Sequence, residues 1–346
     1  MTAIGIVGAG GAAAALTYVV DGALPEAEIT VLEKSGGVCG RAATRRNGAI
    51  TYDYGTNYVK DRDQRVADLL TETLDTDGRV EIDEPIYTFD RTGAVSEGRE
   101  STTSKWSYED GLTQIAKRLF ARTDATVHRR TRVETLRRAD DYWRLLDDDG
   151  TSWGPFDAIV VTPPAPQTAT LLADAEWDWE GPTEELIDAV RSVSYQTIWT
   201  AVLHYPFAIE RPYYALINTD DEHAIGWIAR EECKPGHVPA DESLLVVQAA
   251  PDWSEQHYDD PPAENIATLA ELTADIMNDE RLADPDWTDH QGWRYALPEA
   301  GAPTGVLQSA ESAGLYCAGD WVAGEARLHA AMRNGLDVGE RLVYAL

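Results

Sequence analysis

The sequence predicts an α/β fold in which a domain with a parallel sheet is combined with a second domain built on a mostly antiparallel β-sheet. Three observations indicate this fold. An apolar strand at residues 3–7 leads into a glycine-rich turn and an apolar helix, which is the arrangement of a Rossmann-like nucleotide-binding domain. Residues 314–320 form a C-terminal strand that ends in a Gly-Asp turn. Between these motifs, residues 169–290 contain short strand-like runs typical of an antiparallel sheet.

The composition indicates a globular protein of about two domains. The chain has 346 residues, of which 43% are hydrophobic, so it can build cores large enough to enclose a ligand. Its 29 Lys and Arg residues face 60 Asp and Glu residues, which gives a formal net charge of -31 at pH 7. Because nucleic acids and anionic membranes bind basic surfaces, we expect neither as a partner.

The acidic excess is interpreted as an adaptation to salt. Only five of the 29 basic residues are lysines. At 1 M salt the Debye length falls to about 3 Å, so neighbouring carboxylates tolerate one another and keep the protein dissolved. We therefore expect a halophilic host with a concentrated cytoplasm, and a cationic partner is the alternative.

Cysteines and histidines indicate a reducing compartment and no metal site. Cys39, Cys233 and Cys317 are widely spaced and form no CxxC pair, which predicts a cytoplasmic protein without disulfides. The seven histidines lack the close spacings of metal ligands. Residues 2–20 are uncharged, but no basic residue precedes them and their centre is rich in Gly and Ala. We therefore expect neither a signal peptide nor a membrane span there.

The first turn has the pattern G-x-G-x-x-A, which predicts a dinucleotide site. Gly8 allows the tight turn, and Gly10 lets the backbone approach a diphosphate. The small side chain of Ala13 lets the helix pack on the strand, while Gly11 and Ala12 place amides at the positive end of the helix dipole. A flexible Gly/Ala-rich loop is the alternative interpretation.

The second strand, residues 28–32, ends in Glu33, which strengthens this prediction. An acidic residue at this distance from the glycines accepts hydrogen bonds from the ribose hydroxyls of the adenosine. Its charge also disfavours a ribose 2′-phosphate. FAD and NAD share this pattern, so the following residues must distinguish them.

Residues 36–41 have the pattern G-G-x-x-G-R, and residues 52–58 read Y-D-Y-G-T-N-Y. Together with the intervening A-A-T-R-R, they resemble the two-dinucleotide-binding-domain flavoproteins of the amine oxidase superfamily, and more narrowly the renalase branch. The resemblance implies FAD as the cofactor. The predicted contacts in these segments are Lys34, Gly40, Arg41, Ala42 and Asn57.

Within these segments, the planar guanidinium of Arg41 offers a fork of donors for a diphosphate, whereas a solvated surface arginine is the alternative. Thr56 and Asn57 stand where a small residue and a glutamine are expected, so the polar contact near the flavin differs from the family pattern. Cys39 is expected beside the diphosphate, away from the flavin ring, and we therefore expect non-covalent FAD.

The C-terminal strand and Gly-Asp turn, with helical spacing over residues 326–342, resemble the closing motif of the same superfamily. By that resemblance, Asp320 accepts a hydrogen bond from the ribityl chain, and amides at the helix start face flavin N1 and the C2 carbonyl. A helix N-terminus stabilises the negative charge of reduced flavin there. An ordinary N-cap is the alternative for Asp320. The predicted contacts are Gly319, Asp320, Arg327 and Leu328.

The chain between the two motifs is predicted to form a meander that returns to the sheet through residues 156–162, and then the second domain. Residues 127–138, 142–146 and 156–162 are strand-like, and the resemblance implies that the backbone of Val133 contacts adenine, although a plain strand valine is the alternative. Further predicted elements are the strands 197–204, 213–218, 224–230, 244–249 and 291–297 and the helix 262–278.

We expect a discontinuous FAD-binding domain and a substrate domain. The first comprises residues 1–75, 105–166 and 298–346, and the second comprises residues 76–104 and 167–297. An antiparallel sheet leaves one face free to wall a pocket against the flavin.

Five residues are candidates for the catalytic face. Tyr58, Trp227, Trp293 and Tyr295 would stack against a planar dihydronicotinamide, and Arg230 would bind its phosphates. Aromatic residues that simply belong to the core, and an arginine paired with carboxylates, are the alternatives.

The resemblance implies an FAD-dependent oxidase of a small-molecule substrate. Hydride from a reduced or isomeric nicotinamide nucleotide would pass to flavin N5, and dioxygen would then be reduced to hydrogen peroxide. A flavin amine oxidase and a non-catalytic FAD-binding redox protein are the alternatives. Carotenoid desaturation is disfavoured because the middle segment has no apolar membrane-dipping stretch. The sequence does not predict the oligomeric state.

Overall fold

The computed structural model describes residues 2–99, 103–177, 179 and 181–346. In these residues the strands are β1 (Ala3–Val7), β2 (Glu28–Glu33), β3 (Thr44–Asn47), β4 (Ile50–Asp53), β5 (Val59–Lys60), β6 (Arg79–Glu81), β7 (Ile86–Phe89), β8 (Val95–Ser96), β9 (Lys105–Tyr108), β10 (Thr126–Arg129), β11 (Val133–Ala139), β12 (Tyr142–Asp147), β13 (Ser152–Phe156), β14 (Ala158–Val161), β15 (Tyr195–Tyr205), β16 (Ala215–Asn218), β17 (Ile225–Arg230), β18 (Ser243–Ala249), β19 (Trp287–Pro298) and β20 (Leu315–Cys317). The α-helices are α1 (Gly11–Ala23), α2 (Gln64–Asp68), α3 (Thr113–Phe120), α4 (Ala165–Ala173), α5 (Thr183–Arg191), α6 (Pro251–Gln256), α7 (Pro262–Met277), α8 (Thr304–Ser309), α9 (Asp320–Ala323) and α10 (Leu328–Ala345). None of these helices has the length and apolar character that crossing a membrane requires.

The predicted parallel sheet is present, with strand order β10-β2-β1-β14-β20. All four of its strand pairs are parallel. The central strands β1 and β14 are apolar and buried because both faces of the sheet are covered. Helices α1, α3 and α10 contribute to the core on one face, and the antiparallel sheet β11-β12-β13 with α4 and α5 packs on the other. The prediction of a Rossmann-like domain is confirmed.

Helix α10 packs closely along α1, and glycines allow this approach. A Cβ atom on Gly335 would lie 2.2 Å from the carbonyl oxygen of Ala12. At the N-terminal ends, a Cβ atom on Gly11 would lie 2.8 Å from Cδ1 of Leu328. The starts of the two helices are therefore neighbours, although 317 residues separate Gly11 from Leu328 in the chain.

The second sheet has seven strands in the order β19-β15-β18-β17-β16-β7-β8. Its pairs are antiparallel except for β16 with β7. Helix α7 contributes to the apolar core on one face, and a cluster rich in tyrosine and tryptophan lies on the other. The predicted strands and helix of this region are confirmed, with shifted ends.

The predicted strand over residues 127–138 is wrong, because this segment forms two strands. Arg130 has a φ of 59°, and the chain turns there from β10, at the edge of the parallel sheet, to β11. The antiparallel meander is β11-β12-β13, so its last strand is Ser152–Phe156. The predicted strand over residues 156–162 returns to the parallel sheet as β14, as expected, and its continuous apolar sequence suits a strand buried on both faces.

A small three-stranded sheet, β5-β9-β6, joins segments on both sides of one predicted domain boundary. Arg79–Glu81 pairs with Lys105–Tyr108, although the predicted boundary lies between residues 75 and 76. We propose that the first domain continues to about residue 82, where Ile82 still donates its amide to the carbonyl of Lys105.

Candidate cofactor and substrate site

One large cavity, with a volume of about 2770 Å³, is lined by residues from the parallel-sheet domain and from the seven-stranded sheet. It contains both the glycine-rich turn and the aromatic face of the second sheet. All of the predicted site residues line it except Ala13 and Arg230. The structure therefore brings the two distant sequence motifs to one place.

The glycine-rich turn has the geometry of an anion cradle. Gly8 has a φ of 93°, and a Cβ atom there would lie 2.5 Å from Oγ1 of Thr162. A Cβ atom on Gly10 would meet no atom within 4 Å, so that the backbone faces open space in the cavity. Helix α1 begins here without a side-chain cap, which leaves its first amides available to a ligand. Ala13 is fully buried and packs α1 against the sheet, as its small size predicts.

Glu33 ends β2 beside this turn, and its carboxylate is held by backbone amides. Oε2 accepts from the amide of Ala9 at 2.7 Å, and Oε1 accepts from the amide of Ser35 at 2.7 Å and from the Ser35 hydroxyl. The residue is 6% exposed. A carboxylate has about four acceptor positions, so one remains for a ribose hydroxyl.

Arg41 connects the N-terminal motif to the C-terminal one. Its Nη2 lies 2.7 Å from Oδ1 of Asp320, and its Nη1 donates to the carbonyl of Ala296 at 2.8 Å. The guanidinium has five donors, so it keeps some for a cofactor. The ion pair shows that the two motifs touch across 279 residues of sequence.

The start of α10 forms the second anchoring element. Gly319, with a φ of 151°, donates its amide to Oδ1 of Asn334 at 2.9 Å, which fixes the turn before α9. The carboxylate of Asp320 also accepts from the amide of Trp321. Helix α10 has 18 residues and begins after Arg327 without a side-chain cap. Its first amides are therefore free to face a ligand, and the helix dipole favours negative charge there.

These elements fit FAD. The cradle at Gly10, the acceptor at Glu33, the buried carboxylate of Asp320 and the uncapped start of α10 line one cavity, and each suits a different part of the nucleotide. Burial raises the pKa of the Cys39 thiol to about 12, so it stays protonated beside the glycine turn. A neutral buried thiol is a poor nucleophile, which is consistent with non-covalent FAD.

Tyrosine and tryptophan side chains form another wall of the cavity. Trp227 on β17 packs against Tyr58, with ring centroids 6.3 Å apart, and both also pack against the buried ring of Tyr214. Trp293 on β19 stacks on Tyr54 with centroids 5.2 Å apart. The lining rings therefore pack against one another and against the buried ring of Tyr214, which limits their motion.

Tyr295 lies on the same strand as Trp293 and lines the cavity near the Arg41 ion pair. Its ring meets the edge of Tyr195 at 5.7 Å, and its carbonyl accepts from Arg41 Nη1 at 3.3 Å. The hydroxyl of Tyr195 accepts from the amide of Ala165 at 3.0 Å. Tyr295 thus links the aromatic wall to the cofactor side of the cavity.

The predicted catalytic role of Arg230 is corrected by the structure. The residue is 7% exposed and does not line the cavity. Its guanidinium donates to the carbonyls of Ile209, Arg211 and Tyr213 and to the carboxylate of Glu232. These bonds tie the end of β17 to the loop before β16. An arginine with this many buried acceptors is structural and cannot reach a substrate phosphate.

Several lining residues have no motif in the sequence. The amide of Gln248 donates to the carbonyl of Gly55 at 2.7 Å and holds the loop that precedes Tyr58. The predicted residue Asn57 holds the same loop locally, because it donates to the carbonyl of Asp53 at 2.9 Å. Thr162 and Gln167 line the side between β14 and α4. Gln248 becomes visible as a site residue only when the two domains are packed together, because its contact joins segments 193 residues apart.

A buried charge network lies behind the aromatic wall. Nζ of Lys234 is 3.0 Å from Oδ2 of Asp53 and 2.7 Å from Oε1 of Glu231, and all three side chains are fully buried. His237 adds a contact of 2.7 Å between its Nδ1 and Oε2 of Glu231. Asp53, Glu231 and His237 are close enough to hold a metal ion, but the ammonium of Lys234 already contacts both carboxylates.

The fold and the cavity define the class of protein, an FAD-dependent oxidoreductase. The chain belongs to the flavin containing amine oxidoreductase family, whose sequence profile matches residues 90–343. The profile of the NAD(P)-binding Rossmann-like domain matches residues 6–73, which include the glycine-rich turn and Glu33.

Solved structures share the whole fold at low sequence identity. A protein described as a protoporphyrinogen oxidase, from Exiguobacterium sp. 255-15, superposes with a TM-score of 0.80 at 15% identity, covering 100% of this chain and 99% of that one. Cyclohexylamine oxidase from Brevibacterium oxydans IH-35A gives a TM-score of 0.74 at 14% identity, with 99% of each chain covered. Reduced UDP-galactopyranose mutase gives a TM-score of 0.77 at 10% identity, covering 100% of this chain and 96% of that one.

Proposed function

We propose that the protein oxidises a reduced or isomeric nicotinamide nucleotide and is similar in activity to the renalase branch of its family. The observation that carries this proposal is the aromatic wall of Tyr58, Trp227 and Trp293, which lines the same cavity as the cofactor elements. Flat aromatic surfaces suit a planar dihydronicotinamide, which offers a face for stacking and makes few hydrogen-bond demands.

The chain's own residues would bind and orient the donor. The rings of Trp227 and Trp293 exclude water and hold the donor carbon toward the cofactor, which provides the gain of proximity and orientation. The amides at the start of α10 would stabilise negative charge on the reduced cofactor. When bound, FAD would supply at N5 an acceptor for the hydride of the donor. The two electrons and the proton of that hydride, with one further proton from water, would reduce dioxygen to hydrogen peroxide.

The test is an anaerobic titration of the purified holoprotein with NADH, its dihydronicotinamide isomers and simple amines, followed by flavin absorbance. We expect nicotinamide donors to bleach the flavin and amines to leave it unchanged. Admission of air should restore the colour and release hydrogen peroxide. Bleaching by amines alone would assign an amine oxidase, and bleaching by neither class would assign a non-catalytic FAD-binding redox protein.

A matched pair of tryptophan variants sharpens this test. Trp227→Leu should slow anaerobic bleaching of the flavin by about tenfold. This is the effect expected when donor binding and orientation lose about 1.4 kcal/mol. Trp253→Leu is the control, because Trp253 is also half-buried but lies outside the cavity. Equal rates of flavin bleaching in the two variants would show that the aromatic wall does not bind or orient the donor.

We also propose a salt-rich cytoplasmic setting, supported by the charge of -31 and by three free buried cysteines. The melting temperature should rise between dilute buffer and molar KCl, because screening relieves repulsion among carboxylates. Each 1 kcal/mol gained raises the melting temperature by about 2–4 °C for domains of this size. The rise should weaken near the isoelectric point of about 4.4, and a constant melting temperature at pH 7 would contradict the proposal.

A further inference from the structure

Four cations gather at one side of the cavity, and we call them the cation cluster: Lys60, Arg62, Lys105 and Arg327. They come from three separate elements. Lys60 and Lys105 are directly paired across β5 and β9, Arg62 follows β5, and Arg327 precedes α10. All four line the cavity. The two lysines are half-buried and the two arginines are exposed, so the cluster lies where the cavity meets solvent.

The cation cluster has no carboxylate partner among the described residues. No carboxylate of the described chain lies within 4.0 Å of a side-chain nitrogen of the four cations. Several other arginines are paired, as Arg65 is with Asp337 and Glu340. The chain has 60 acidic residues, yet these four positive charges stay unpaired at one place. They are therefore available to an anion that enters the cavity from solvent.

The cluster faces the proposed donor side of the cavity. Nζ of Lys60 lies 5.5 Å from the ring centroid of Tyr58, which packs against Trp227. Burial lowers the pKa of Lys60, and the other three cations lower it further, so their charges act on one another at short range. Four like charges placed together repel one another, and an anion bound among them would relieve that repulsion.

We propose that the cation cluster is a binding subsite for the phosphate groups of the substrate. The inference rests on the proposed function, because it assigns the anionic tail of the hydride donor to a place in the same cavity. Phosphate oxygens accept charge-assisted hydrogen bonds from both arginine and lysine. The nicotinamide end would then lie toward Tyr58 and Trp227, while the diphosphate would stay near solvent. The subsite would select nucleotide donors over neutral or cationic amines.

The experiment uses the holoprotein and the double variant Arg62→Gln/Lys105→Gln, with Arg65→Gln as the matched control. Arg65 is exposed and lies outside the cavity. Three quantities are measured at low ionic strength: the binding of inorganic pyrophosphate by calorimetry, the affinity for FAD, and the KM values for NADH and for dihydronicotinamide riboside. The riboside lacks phosphate, so it reports on the aromatic wall alone.

We expect the double variant to weaken pyrophosphate binding and to raise the KM for NADH by about tenfold or more, which corresponds to about 1.4 kcal/mol. The kcat, the KM for the riboside and the affinity for FAD should stay near those of the control. If pyrophosphate binding depends on the cluster but no nicotinamide donor bleaches the flavin, the proposed function fails and the anion subsite survives. Unchanged pyrophosphate binding, or loss of FAD from the double variant, would overturn the inference.

Discussion

Gly10→Val should yield a folded but colourless protein whose affinity for FAD is lower by about 10²-fold or more. A Cβ atom at this position meets no protein atom within 4 Å, so the valine side chain would extend into the cavity and displace the diphosphate from the amides of α1. Hydrogen bonds to charged groups contribute about 1.5–3 kcal/mol each, and about 1.4 kcal/mol corresponds to tenfold in affinity. Losing two of them accounts for the expected effect.

The control for this variant lies on α1, the helix that follows Gly10. Gly22→Val also introduces a side chain where no atom lies within 4 Å, but Gly22 is outside the cavity. The backbone φ of Gly10 is -76°, which valine adopts without strain, so circular dichroism of both apo-variants should match that of the apo-protein. A yellow Gly10→Val protein with undiminished FAD affinity would show that the cofactor does not lie on the glycine turn.

The two ends of the chain were predictable because their motifs are local. At the N-terminal end, Gly8, Gly10 and Glu33 act through backbone geometry and strand order, which short stretches of sequence encode. At the C-terminal end, a strand, a Gly-Asp turn and a helix start follow one another directly. In both places, the position of each residue that defines the site is determined by residues close to it in the chain.

Pairing between distant segments was not predictable. The strand prediction over residues 127–138 failed because the sequence does not show that the turn at Arg130 moves the chain from one sheet to another. Arg230 has the charge of a phosphate ligand, but the loop before β16 supplies the carbonyls that bind it. The stacking of Trp293 on Tyr54 likewise depends on how β19 lies over the first domain.

The buried network around Lys234 is the clearest case of a distant contact. Lys234 and Asp53 are 181 residues apart, yet they form an ion pair from which solvent is excluded. Asp53 also accepts from the hydroxyls of Thr44 and Ser107 and from the amide of Leu112. The network therefore joins β4 of the first domain to the loop after β17, directly behind the wall of the cavity.

The directions of the pKa shifts give the pH range over which this network stabilises the fold. Burial raises the pKa of Asp53, but Lys234 and the hydrogen bonds outweigh it, so the pKa lies below its ordinary value. Its contribution is complete above about pH 3.9 and is lost as the pH falls through the lowered pKa. Burial lowers the pKa of Lys234, but the two carboxylates raise it overall. Its contribution is complete below about pH 10.4 and is lost as the pH rises through the raised pKa.

Lys234→Met should lower the free energy of unfolding by about 3–5 kcal/mol at pH 7, because it leaves the carboxylates of Asp53 and Glu231 buried and uncompensated. Urea denaturation of the holoprotein measures the loss, and Lys117→Met, at an exposed position of α3, should stay within about 0.5 kcal/mol of the wild type. The triple variant Lys234→Met/Asp53→Asn/Glu231→Gln removes the uncompensated charges and should recover most of the stability. A loss below about 1 kcal/mol in Lys234→Met, or no recovery in the triple variant, would mean that this ion network does not hold the two domains together.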